Sequence, residues 1–217
     1  MQLTRTNATQ VEVSSEYNIT TIGQYLMEAE RCADEYPIAV NEWFSRNRLS
    51  RFNFATLKKV VGGDEYKYVL DWGCGNLLWS SGLFPGAEIT GIELHEKILE
   101  YAKINAQANG VEFHGLLLDK VHNFELNHYD AAAAMGLIEL ITPTQFTQVF
   151  SAILRSLKPG GKLICTLHNW RAFSALYLPL IRHGGYESYI KRLGIRISRR
   201  SLRNVELDFT NLGYQVV

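Results

Sequence analysis

Asp71, Gly73 and Gly75 stand together in the stretch YVLDWGCGNLL, residues 68 to 78, and a second acid, Glu93, follows about 20 residues on. Val69 and Leu70 end an apolar run that reads as a buried strand. Asp71 lies at its end, and two glycines one residue apart open a loop ahead of a helix-like stretch. Glycine has no Cβ and reaches φ values that other residues avoid, so such a loop lets backbone press against a nucleotide-like ligand. Glu93 falls at the end of the next strand, where a carboxylate can accept hydrogen bonds from both hydroxyls of a ribose. Charge-assisted bonds of this kind contribute about 1.5–3 kcal/mol each. The local alternative is that Glu93 caps the helix beginning near His95.

The same residues discriminate between ligands. The dinucleotide fingerprint G-x-G-x-x-G needs a glycine or alanine where this chain has Leu78, and no phosphate-binding Lys-Ser/Thr pair follows the loop. An acid two residues before the first glycine repels pyrophosphate and welcomes an amino group. The pattern therefore favours a nucleoside that carries an amine and no phosphates.

These residues need a scaffold, and the chain is long enough to supply one. Its 217 residues suit one domain with a full core, and 47% of them are hydrophobic. From Tyr66 onward strands and helices alternate. Strands are expected over Tyr66–Asp71, Glu88–Glu93, Val111–Leu118, Tyr129–Met135 and Lys162–Leu167, with helices near Trp79–Leu83, His95–Asn109 and Thr144–Leu157. Several strands are apolar throughout, as strands covered on both faces are. The order implies an α/β fold: a doubly wound, mostly parallel sheet with helices on both faces. In such a sheet ligands sit beyond the carboxyl ends of the strands, which here are Asp71, Glu93, Asp119, the Met135–Glu139 segment and His168. Residues 1–15 read as a flexible tail. Residues 16–63 read as an N-terminal helical cap, with Tyr25 and Trp43 as candidate contacts, and residues 64–217 as the core.

Composition narrows the function. Lys plus Arg and Asp plus Glu each number 22, so the chain lacks the net positive field of a dedicated nucleic-acid binder. Cys32, Cys74 and Cys165 are too few and too widely spaced for a disulfide framework, which points to a reducing, cytoplasmic setting. No run approaches 18 apolar residues, the N-terminus lacks a signal core, and no His/Cys/acid cluster has metal-ligand spacing.

Four segments in order carry a resemblance. LDWGCG resembles the first motif of class I S-adenosylmethionine-dependent methyltransferases. TGIELHEKILEYAKINA (residues 90–106) is similar to their second strand and helix, HYDAAAAMGLIELI (128–141) to their fourth strand and following loop, and RSLKPGGKLICTLHN (155–169) to the turn and fifth strand. The resemblance implies a Rossmann-like fold and S-adenosyl-L-methionine as cofactor. It implies that Gly73, Cys74 and Gly75 line the methionine and ribose end with backbone, and that Asp71 sits near the amino group. Glu93 would take the ribose hydroxyls, Leu94 the adenine face, Asp119 the adenine amino group and Met135 the carboxylate end. Two departures stand out. The family's third glycine is Leu77 here, which is expected to narrow the loop or alter affinity. The chain also stops at a strand resembling the sixth, so the antiparallel seventh is expected to be missing from a truncated sheet.

Methyl transfer is an in-line displacement in which positioning contributes about 7–11 kcal/mol, so no catalytic triad is required. An oxygen nucleophile gains from a general base. His168 and Glu139 are the candidate catalytic residues: His168 follows the fifth strand, and Glu139 follows the fourth and could contact substrate or position a loop. Leu140 stands where many relatives have a histidine. His122 and His128 read as surface bystanders. The aromatic segment 170–190 reads either as a core-facing helix or as a lid over an apolar or aromatic substrate, and TLHNW followed by that segment is similar to quinone-precursor O-methyltransferases. The expected reaction transfers the methyl group to an oxygen of a small aromatic or lipid-like molecule. Two alternatives stay open. One is a non-catalytic S-adenosylmethionine-binding protein. The other is an RNA or protein methyltransferase docking through the basic run 191–203, a run that could also touch anionic lipid.

Overall fold

The computed structural model describes residues 2–5, 48–118, 125–167 and 200–216. In chain order they form strand β1 (Gln2–Arg5), helix α1 (Arg48–Val61), β2 (Tyr68–Trp72), the single turn α2 (Ser80–Leu83), β3 (Glu88–Glu93), α3 (Glu96–Ala108), β4 (Glu112–Leu117), β5 (Tyr129–Ala134), α4 (Pro143–Ser156), β6 (Leu157–Cys165), α5 (Leu202–Asn211) and β7 (Tyr214–Val216). The strands make one sheet in the order β4-β3-β2-β5-β6-β1-β7, and the first five of these run parallel.

Strand alternation explains why the central strands β2 and β5 are largely apolar on consecutive residues, whereas the edge strand β4 alternates exposed and half-buried positions. Leu70, Trp72, Ile92, Ala132, Ala134 and Leu163 face one core, closed by Phe146, Phe150 and Ile153 of α4 and Val205 and Phe209 of α5. Val69, Ile89, Ala131, Ala133 and Ile164 face the other, closed by Leu57 and Val61 of α1 and by Leu99, Ala102 and Ala106 of α3. Each face of the sheet is thus a buried interface, the doubly wound arrangement expected from sequence. The alanine run in β5 is fully buried on both sides, so its small side chains set how closely helices approach the sheet.

Helix α4 begins with a capping box, in which Thr142 Oγ1 accepts the Gln145 amide at 3.2 Å and Gln145 Oε1 accepts the Thr142 amide at 2.9 Å. Both otherwise orphaned donors are satisfied, and Pro143 follows at the first helical position. The Lys158–Gly161 turn expected before the last parallel strand lies inside β6. Tyr129 pairs with Leu157 and Ala131 with Lys162, so the four intervening residues bulge out of register.

The N-terminus corrects two expectations. Gln2–Arg5 is a strand and not part of a frayed tail. It pairs antiparallel with β6 on one side (Leu3 opposite Leu163) and with β7 on the other (Leu3 opposite Val216). It fills the antiparallel position expected to be missing, so that β7 runs in the direction of the parallel five. The physical reason is edge satisfaction: without β1, β6 and β7 would each present unpaired backbone groups to the other. The expected helices ahead of residue 48, with Tyr25 and Trp43, lie outside the described residues. Among the described residues no helix is long and apolar enough to cross a membrane.

Candidate cofactor site

Asp71 and Glu93 stand near the ends of β2 and β3 and on the same face of the sheet. Asp71 shares its face with Val69, and Glu93 shares it with Ile89 and Gly91. Asp71 lies opposite Gly91 of β3 and Ala133 of β5, residues with little or no side chain. Gly91 is required by packing: a Cβ there would stand 2.5 Å from the Phe113 ring and 2.8 Å from Cys74 Sγ.

The glycine loop is pinned to the end of β3. The Gly73 and Cys74 amides both donate to the Ile92 carbonyl, at 2.9 and 3.0 Å. The Gly75 amide donates to Glu93 Oε2 at 3.0 Å, and Glu93 Oε1 accepts the Leu94 amide at 2.6 Å. Gly73 and Gly75 have φ of +73° and +53°, the left-handed region where a side chain is strained. Farther along the loop, Asn105 Nδ2 of α3 donates to the Asn76 carbonyl at 2.7 Å. From the other side comes the segment after β5. A Cβ on Gly73 would stand 3.3 Å from Leu137 Cδ1, and the Gly136 amide donates to Thr166 Oγ1 at 2.7 Å. The ends of β2, β3, β5 and β6 thus converge on one spot.

That spot is electrostatically unusual. Asp71 is 2% exposed. Burial lifts its carboxyl to about 7; the nearby Ser80 hydroxyl pulls it back in part and the Glu93 carboxylate lifts it further. Burial also raises Glu93, against the opposing pull of the Leu94 and Gly75 amides. Cys74 is raised well above the ordinary thiol value by burial and then by the two carboxylates, which makes it a packed neutral thiol. The Ser80 hydroxyl is the donor beside Asp71, and both side chains are buried. Among the described residues no cation acts on either of the two buried carboxylates, so the site is short of positive charge. A ligand with an ammonium group, ribose hydroxyls and a positively charged sulfur fits that chemistry.

A family model described as a methyltransferase domain matches residues 69–161, from β2 into β6. The Ubiquinone biosynthesis O-methyltransferase of Nitrosomonas europaea is 26% identical over 180 residues, covering 77% of this chain and 75% of that protein. The chain is an S-adenosylmethionine-dependent methyltransferase. Its fold is shared with the solved DhpI-SAM-HEP complex (TM-score 0.63, 18% identity, 91% of each chain). It is shared also with an S-adenosylmethionine-dependent methyltransferase from Mesorhizobium loti (TM-score 0.56, 16% identity, 75% of this chain and 81% of that one).

Within this methyltransferase the structure brings Asp71, Gly73, Cys74, Gly75, Glu93 and Leu94 together, with Met135 half-buried after β5. The expectation for Leu77 takes a different form. Leu77 adopts the left-handed backbone of the glycine it replaces, at φ +59°, and its side chain is fully buried in the core with Leu57, Val69 and Leu83. Glu139 is also fully buried, close enough to Cys165 to help burial push that thiol up to about 12. Asp119, His168 and the aromatic segment 170–190 lie outside the described residues, as does the basic run apart from Arg200 and Arg203. Arg200 is no free docking cation: it pairs with Asp208 and lies over the Phe146 ring, 4.4 Å from its centre. His128 packs against Tyr68 at a tilt and edge-on against Tyr129, at the opposite end of the strands.

Sequence spacing missed two groupings. Ser80 reaches Asp71 only because the α2 turn follows the loop at once. Glu88, Glu112 and His114 meet across β3 and β4, with His114 Nε2 at 3.2 and 3.6 Å from the two acids. That second group is largely exposed and lies at the strand starts, away from Glu93.

Proposed function

We propose that this methyltransferase acts on an oxygen of a small aromatic or lipid-like molecule of the quinone-precursor type. The observation that carries the acceptor class is kinship: the Nitrosomonas europaea relative, aligned over most of both chains, is an O-methyltransferase of ubiquinone biosynthesis. Asp71, Gly73, Cys74, Gly75, Glu93, Leu94 and Met135 would hold the cofactor, with Asp119 at its adenine. The glycine loop's pinning to β3 and the buried acid pair support that reading. When bound, S-adenosylmethionine supplies a methyl group on a positively charged sulfur, a centre that asks for alignment more than for activation.

The chain's own work is to bind, align and manage one proton. Glu93 holds the ribose end and the glycine loop at once. Asp71 offers negative charge to the amino-acid end. A phenolic acceptor must lose its hydroxyl proton, and His168, which follows β6 in the sequence, is assigned that proton. Full burial supports the loop-positioning role for Glu139 over direct contact with solvent-delivered substrate. Arg200's engagement with Phe146 and Asp208 takes that one member of the basic run out of an RNA-docking surface.

The test is an acceptor panel. Purified protein with methyl-labelled S-adenosylmethionine is expected to convert catechols and phenols bearing apolar tails to aryl methyl ethers, read by mass spectrometry. Labelling confined to amines or to RNA, or cofactor binding without turnover on any phenol, would remove the proposal.

A further inference from the structure

Glu88, Glu112 and His114 meet at one edge of the sheet, and the cofactor site uses none of them. Glu88 and Glu112 are the first residues of β3 and β4 and are register partners; His114 lies two positions on, opposite Thr90. Strand β4 is the outermost strand on this side. Alternation puts Glu112 and His114 on its exposed face, and Phe113 and Leu117 on the other, in the core closed by α3. One of the three residues comes from a different strand, so sequence spacing alone does not reveal the group.

Two carboxylates in register on neighbouring strands repel each other. His114 Nε2 stands 3.2 Å from Glu88 Oε1 and 3.6 Å from Glu112 Oε1. One imidazole nitrogen carries at most one hydrogen, and 3.6 Å is too long for a hydrogen bond, so His114 serves Glu88 and not Glu112 as well. Lys67 is close enough to feel Glu88, but its ammonium lies over the Tyr68 ring, 5.0 Å from the centre. The separations match a different arrangement. A tetrahedral Zn2+ holds nitrogen and oxygen ligands at about 2.0–2.2 Å, which sets neighbouring ligand atoms about 3.3–3.6 Å apart. One ligand atom from each of the three side chains lies within 4.8 Å of the others. The Glu88, Glu112 and His114 side chains, 35%, 68% and 52% exposed, have room to close the remaining gap.

We propose that Glu88, Glu112 and His114 bind one divalent first-row cation of the Zn2+ type, and that the ion fastens edge strand β4 to β3. With a neutral imidazole the three side chains carry two negative charges, which one divalent ion cancels. Imidazole suits Zn2+, Ni2+ or Cu2+, whereas Mg2+ takes oxygen ligands and keeps several waters. Three protein ligands leave the remaining position to water. Because the ligands come from both strands, binding joins them, and an ion that binds only the folded sheet stabilises it. Glu88 and Glu93 stand at opposite ends of β3, about 16 Å apart along the strand, so this site is separate from the cofactor's.

Calorimetric titration of the metal-free full chain with ZnCl2 is expected to show a saturable site from which Mg2+ in about hundredfold excess does not displace the ion. His114→Ala and Glu112→Gln should each weaken Zn2+ by about tenfold or more, while His128→Ala, a control for zinc taken up by other histidines, leaves the affinity in place. ZnCl2 should raise the urea midpoint of the native chain and slow hydrogen exchange in β3 and β4, and should do neither in His114→Ala. Affinity for S-adenosylhomocysteine should be the same in all of these variants. No saturable uptake at about 0.1 mM ZnCl2, or uptake undiminished in both ligand variants, would overturn the site. Displacement by Mg2+ would overturn the cation class. Uptake lost in both variants but without effect on β4 exchange in the native chain would overturn the fastening of the strand. If a variant fails to fold, the exchange map of the native chain with and without ZnCl2 still decides: protection outside β3 and β4 alone would place the ion elsewhere.

Discussion

Glu93 is bonded to Gly75 across the sheet's end, its Oε2 accepting the glycine amide at 3.0 Å. The acid thus fixes the glycine loop before any ligand arrives. Because the amides of Gly73 and Cys74 are also committed, to the Ile92 carbonyl, the loop's shape is set by the strand beside it. A carboxylate has about four lone-pair sites, and two amides use only part of that capacity. Loop clasp and hydroxyl acceptor are therefore compatible tasks for one side chain.

Replacing Glu93 separates those tasks. Glu93→Ala removes the clasp and the acceptors, and at about 1.5–3 kcal/mol for each charge-assisted bond the cofactor's Kd should rise by about a hundredfold or more. Glu93→Gln keeps the shape and one oxygen and should lose less. Calorimetry reads the affinity, and hydrogen exchange at the Gly75 amide reads the clasp without ligand. An unaltered Kd in Glu93→Ala would end the ribose assignment.

Asp71 predicts a conflict between stability and binding. Folding raises its carboxyl from 3.8 to about 7, so the folded state keeps a proton that the unfolded chain gives up. That contribution is present below about pH 4 and is lost as pH rises through about 7. Asp71→Asn should therefore match the native chain near pH 4 and exceed it increasingly up to about pH 7. The excess should then level off at no more than about 4 kcal/mol. Urea unfolding across this range, without cofactor, checks the sign. A variant less stable than the native chain at pH 8 would contradict it.

Leu77 sets two effects against each other. A non-glycine residue at φ +59° costs about 1–2 kcal/mol, while removing a buried leucine side chain costs about 2–5 kcal/mol. Packing should win, so Leu77→Gly is expected to lower stability by about 1–3 kcal/mol even though it restores the glycine of the family motif. A stabilised variant in thermal or urea unfolding would mean that backbone strain dominates.

The parts legible in the sequence share a physical cause. Asp71 and Glu93 could be read because buried strands write apolar runs, and a charged residue ending such a run two positions from a glycine has few explanations. The parallel sheet was legible for the same reason. Ser80 was not, since its approach to Asp71 depends on a one-turn helix that leaves no periodic signal. Nor was the withdrawal of Arg200 from the basic run, because its partners Phe146 and Asp208 come from two other positions in the chain. Glu139 resembled a loop acid, and only the folded segment after β5 reveals that it is sealed from solvent. Strand β1 was the largest omission. Its residues, QLTR, carry no apolar alternation, and what places them is backbone pairing on both sides.

That pairing yields the last prediction. Leu3 lies between Leu163 and Val216 in a strand flanked on both sides, where proline removes a ladder donor and disturbs both neighbours. Leu3→Pro should cost at least about 1–3 kcal/mol, the penalty of one buried backbone group left unpaired. Hydrogen exchange should accelerate in β6 and β7 together, while β2 and β3 keep their protection and the cofactor its affinity. Helix α5 should remain docked: Phe209 packs on Phe146 and Phe150, and the Tyr214 hydroxyl donates to the Phe150 carbonyl at 2.7 Å. If exchange accelerates in β7 alone, β6 does not depend on the N-terminal strand and the sheet's parallel half closes without it.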